Sequence, residues 1–119
     1  MSDDYRRTNA ILAAYREQYF FFTAAQNSIA ELLPNLTRKE EAEYRRIQKA
    51  VDRFNIEQQS RHQELMAAEL DDFTIEQKLE YVARMLALTE QITERLKQLT
   101  EELMDLAQSH IGYWIRRLA

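Results

Sequence analysis

The chain has one glycine, one proline and no cysteine in 119 residues. A chain of this length ordinarily carries roughly eight glycines and six prolines. Those residues make tight turns and break helices, so their scarcity allows one or two sharp reversals and otherwise long helices. Without cysteine there is no disulfide framework and no thiolate chemistry. A single glycine cannot build a glycine-rich phosphate loop. No apolar run approaches the roughly 18 residues of a membrane span. The opening Met1-Ser2-Asp3-Asp4 is acidic and lacks an apolar h-region, so no secretory leader is expected. An intracellular, cytoplasmic protein is the simplest expectation.

What is present is helical material. Apolar residues make up 45% and charged residues 30%, the composition of a globular or coiled-coil chain rather than a disordered one. The length suits one domain spanning residues 1–119. A first helix is predicted over about 3–33. Ser2 can cap it, and Asp3 and Asp4 suit the positive end of its dipole. Tyr5, Leu12, Tyr15, Tyr19, Phe22, Ile29 and Leu33 form its stripe, and Pro34 ends it. Thr37 and Glu40 make a capping box that starts a second helix over about 38–70, with Tyr44, Ile47, Val51, Phe54 and Leu65 as its stripe. Thr74 and Gln77 repeat the pattern before a third helix over about 75–117. Its seam is the cleanest: Val82, Met85, Ile92, Leu96, Leu99, Leu103 and Leu106, a 3.5-residue repeat that implies coiled-coil-like packing.

Short connections make neighbouring helices antiparallel. The expected fold is an all-α, antiparallel up-down-up three-helix bundle, or a hairpin whose third helix pairs with another chain. If the third helix starts beside the start of the first, it overhangs the Pro34 turn from Ala107 to Ala119, by roughly 15 Å.

Three stretches are unusual. Tyr19, Phe20, Phe21 and Phe22 cover most of a helix circumference, and one core stripe cannot accept both Phe20 and Phe21. They are either a second apolar surface for another protein or one edge of a wide core face. In the expected overhang, Ile111, Trp114, Ile115 and Leu118 share a face bordered by Tyr113, Arg116 and Arg117. That segment suits docking on a partner, self-association, a peripheral membrane contact, or folding back at Gly112. Between Asn55 and Glu64 the second helix has one apolar residue, and continuing its stripe puts Gln58 and Arg61 into the seam as a register-setting polar layer, a solvated stretch or a ligand site.

Charge is polarised. Residues 54–105 carry −7, while residues 38–53 and 106–119 carry +2 each. Arg45, Arg46, Lys49 and Arg53 form a candidate anion-binding stripe, interrupted by carboxylates, in an acidic protein. That is a poor footprint for nucleic acid. The basic residues fall at the Pro34 end, and Asp3, Asp4, Glu69, Asp71, Asp72, Glu76 and Glu80 at the other. His62 and His110 lack the i±3 or i±4 ligands of a helical metal motif, and Ser109 and His110, being adjacent, point about 100° apart. No metal, cofactor or catalytic residue is expected. The expected function is a non-enzymatic helical adaptor, regulator or scaffold subunit that self-associates through Phe20, Phe21, Ile111, Tyr113, Trp114, Ile115, Arg116 and Arg117. The alternative is a binder of an anionic polymer or surface through the basic, aromatic end.

Overall fold

The computed structural model describes the backbone of residues 2–67 and 70–118, and the side chains of these residues apart from 2–4, 65 and 66. Three helices account for nearly all of it: α1 (Ser2–Leu32), α2 (Arg38–Ala67) and α3 (Ile75–Leu118). A 3-10 turn at Leu33–Asn35 holds Pro34 near its start, and a second 3-10 turn spans Leu70–Asp72. Both capping boxes form. The Thr37 N–H donates to Glu40 Oε1 (2.9 Å) and the Glu40 N–H to Thr37 Oγ1 (3.2 Å). Thr74 and Gln77 exchange the same pair of bonds at 2.9 and 3.2 Å. Each box satisfies two of the four donors that a helix start leaves open.

α1 packs along α3, and α2 also meets α3. Gln18 donates to Thr100 Oγ1 at 3.3 Å, and Arg7 lies 3.6 Å from Glu90. Thr100 in turn donates to the Leu96 carbonyl (2.7 Å), so its hydroxyl serves both helices. One core cluster gathers Phe22, Ala25 and Ile29 of α1, Ile47, Val51 and Phe54 of α2, and Leu96, Leu99, Leu103, Leu106 and Ala107 of α3.

That cluster fills only the half of the molecule nearest Pro34. Beyond it Tyr5 and Leu12 of α1 and Ile56 of α2 are exposed, and Val82, expected in the α3 seam, is 50% exposed. Met85 and Ile92 are half-buried, and Leu33 is exposed. Leu65 lies outside the described side chains. The open end has a cause legible in α2. Its Asn55–Glu64 stretch supplies no apolar stripe, so nothing there repays desolvating the facing surfaces of α1 and α3.

The overhang is at the other end from the one expected. Gln18 pairs with a residue 82 positions ahead. At that offset Leu32 is level with Trp114 and Ser2 with Arg84. Residues 75–83 therefore run past the start of α1, while α3 extends only about one turn beyond Leu32. Ala107 and His110, assigned to a free tail, are buried. Packing of the apolar side chains sets this register; the helix ends have no means to align themselves. Nor does the segment fold back at Gly112. The helix continues to Leu118 with no positive φ, because one glycine costs a helix only about 1 kcal/mol.

Replacing Leu99 or Leu103 by alanine is expected to cost about 2–5 kcal/mol in urea unfolding, whereas Val82→Ala costs under about 1 kcal/mol. Equal losses at the two ends would contradict a core confined to the Pro34 half.

Candidate functional site: the basic, aromatic end

The end of the molecule near Pro34 is organised by one buried hydrogen-bonded pair that the sequence does not single out. His110 Nδ1 lies 3.0 Å from Glu40 Oε1 and 3.2 Å from Oε2, and the two side chains are only 5% and 9% exposed. A carboxylate has no proton to give, so Nδ1–H is the donor. Glu40 Oε1 thus accepts hydrogen bonds from the Thr37 N–H of the capping box and from His110 Nδ1–H together. Burial alone would push the Glu40 carboxyl up, but the hydrogen bonds from His110 and Thr37 outweigh it and hold it below its ordinary value of 4.5. The partners are 70 positions apart, beyond any helical spacing rule. Reflecting α2 onto α3 about the turn centre near Asp72 would bring Glu40 level with Met104, so the hairpin by itself does not reveal them.

From His110 an aromatic series leads outward. The rings of His110 and Trp114 meet edge-on with centroids 6.2 Å apart, Trp114 meets Tyr113 at 5.6 Å, and the Arg117 guanidinium carbon sits 5.8 Å over the Tyr113 ring. The buried pair therefore holds the last two turns of α3 against the start of α2. Trp114, Ile111 and Ile115 remain exposed, Tyr113 is half-covered, and Arg116 and Arg117 are exposed. Phe20 and Phe21 are 69% and 47% exposed and touch each other edge-on at 6.0 Å. Neither joins the core, and Tyr19, assigned to the seam, is exposed as well. Only Phe22 of that run is buried.

The candidate anion stripe is divided. Arg45 binds Glu41 at 2.6 Å, and Arg46 binds Glu43 and, at 3.4 Å, Glu102. The Arg46 hydrogen bond holds the Glu43 carboxyl below its usual range, and Glu43 in turn raises the Arg46 guanidinium further. Lys49 and Arg53 form no ion pair among the described residues. A groove of about 920 Å³ is lined by Arg38, Lys39, Arg46 and Arg116 and equally by Glu40, Glu43, Glu102 and Asp105, and neither Lys49 nor Arg53 lines it. Its mixed charge offers no selective seat for an anion. Arg61 lines another groove, of about 600 Å³, with Phe73, Gln77 and Tyr81 at the open end. Gln58 and Arg61 are half-buried.

Among the described residues no group of three or more His, Cys, Asp or Glu side chains is placed to hold a metal ion, and no helix is long and apolar enough to cross a membrane. Comparison with protein-family models, with curated proteins and with solved structures finds no match to this chain.

Removing this hydrogen bond by His110→Ala is expected to cost about 1–3 kcal/mol, since it leaves a buried carboxylate short of a donor. The depressed Glu40 carboxyl also sets a pH dependence. Its stabilisation is present above the unfolded-chain value near 4.5 and is lost as pH falls through the lower, folded value. Thermal melts between neutral pH and pH 3 should therefore drop more steeply for the wild type than for Glu40→Gln. Parallel curves would show that Glu40 contributes nothing to the acid limb.

Proposed function

We propose that the protein is a non-enzymatic helical interaction module, an adaptor, regulator or scaffold subunit, that self-associates through its aromatic surfaces. In this reading it is an antiparallel up-down-up three-helix bundle with coiled-coil-like packing around Leu96, Leu99 and Leu103.

The observation that carries the reading is unpartnered apolar surface. The chain exposes 9379 Å², against roughly 6,800 Å² for a compact monomer of its mass. Its radius of gyration is 19.0 Å, where a compact domain of this length has about 13.5 Å. The extents are 66 × 30 × 16 Å, and a helix with its side chains is about 10–12 Å across, so most helix surface here is outer surface. A rod has excess area in any case. What singles this rod out is which residues occupy that area: Phe20, Phe21, Trp114, Ile111 and Ile115 lie on it. Aromatic side chains are the ones that most often anchor interfaces, and exposed apolar patches of this kind mark interaction sites.

Light scattering behind a sizing column tests the reading. The wild type should exceed the monomer mass at high micromolar concentration. Phe20→Ala with Phe21→Ala, and separately Trp114→Ala, should lower the assembled mass several-fold while leaving the circular-dichroism melt within a few degrees of the wild type. A strict monomer at every concentration removes self-association.

A further inference from the structure

α1 has an outer face as regular as its inner one. On the inner side Phe22 and Ile29 are buried and Tyr15 packs against the core cluster. Starting from Arg6 and stepping alternately by four and by three, every residue reached as far as Glu31 is exposed. At 100° per residue these positions lie within about 50° of one line, on the side of α1 away from Tyr15, Phe22 and Ile29. Steps of four and three average 3.5 residues, the period of a coiled-coil seam. The line runs for about 38 Å at 1.5 Å per residue.

This face is its own complement when reversed. Turned end for end about a midpoint between residues 18 and 19, Arg6 comes level with Glu31, Ala13 with Ala24, Phe20 with Glu17 and Ala10 with Asn27. The steps read the same in both directions, so the seam stays in register along its length. The end charges are opposite, and neither Arg6 nor Glu31 has an ion-pair partner among the described residues. Alanines at the paired levels let two helix axes approach at the short end of the usual 8–10 Å. Along one edge of the line Phe21 and Ala14 are exposed too, and the reversal brings them within about 3 Å of the same level. A foreign helix would need this pattern by coincidence; a second copy has it by construction.

We propose that a second copy lies antiparallel on this face, α1 against α1, about a two-fold axis between residues 18 and 19. Arg6 of each copy then faces Glu31 of the other, and Phe20 and Phe21 are covered at the centre. The same patch serves on both chains, so the joint closes at two copies. The rest of each molecule lies behind its own α1, clear of the other. Glu17 is the weak point. The two Glu17 positions stand about 4.5 Å apart along the axis, on one edge, and like charges across an interface oppose it. The joint is accordingly reversible. The inference rests on the self-association proposed above and gives the geometry of its Phe20–Phe21 part.

The absence of native cysteine makes the test direct. Ala13→Cys and Ala24→Cys are prepared as separate variants and oxidised alone and mixed, from low micromolar to millimolar concentration. In the antiparallel pair each cysteine is level with the other variant's but about 16 Å along the axis from its own symmetry mate. Disulfide-linked pairs in the mixture should exceed those in either variant alone at least tenfold. In sedimentation equilibrium Arg6→Glu should weaken association several-fold, Arg6→Glu with Glu31→Arg should restore it, and Glu17→Gln should strengthen it several-fold. Circular-dichroism melts establish that every variant is folded. Wild-type assembly in which Ala13→Cys links to itself as readily as to Ala24→Cys, or which Arg6→Glu leaves unchanged, overturns the antiparallel joint and leaves self-association standing. Monomers throughout overturn both.

Discussion

Leu96, Leu99, Leu103 and Leu106 lie on consecutive turns of α3, and both other helices bury their best apolar residues against them. The arrangement is asymmetric along the rod because α2 can match that seam only as far as Phe54. Between Asn55 and Glu64 it offers amides, carboxylates, Arg61, His62 and one exposed isoleucine. Closing the bundle there would desolvate polar groups for little apolar gain. One run of about ten residues in α2 thus decides where the core stops, and so which residues of α1 and α3 stay in contact with water.

The closed end has its own fastening. Glu40 completes the α2 capping box and accepts the His110 Nδ1–H hydrogen bond, and the His110 ring meets Trp114 edge-on. The start of α2 and the end of α3 therefore share one buried contact. A buried pair of this kind adds little to stability relative to a well-packed apolar pair, but it penalises any register that leaves either partner alone. A slip of α3 by one turn would bury an unpaired carboxylate. The leucine seam, in contrast, repeats every turn and would tolerate such a slip far better.

Seen along the rod, the two ends differ. The basic end carries the His110–Trp114–Tyr113 ring contacts. The acidic end carries the exposed Ile75, Leu79 and Val82 of α3. Neither feature involves a reactive group or an enclosed cavity, and the proposed role follows from shape, apolar exposure and charge order.

Much of this was legible in the residues. Scarcity of glycine and proline dictated long helices, and Thr37–Glu40 and Thr74–Gln77 marked two of their starts, because helix formation and capping depend on neighbours within four positions. The crowding of Phe20 and Phe21 off the seam was legible for the same reason: helical period alone places them. Tertiary structure decided the rest. The register of α1 on α3 put the overhang at Ile75 instead of Ala107, closed the core over one half only, and paired Glu40 with His110. Each is a sum of weak contacts between residues 70 or more positions apart, and no local rule ranks such sums. Only when the chain is folded do the leucine seam, the polar stretch of α2 and one buried hydrogen-bonded pair select a single alignment.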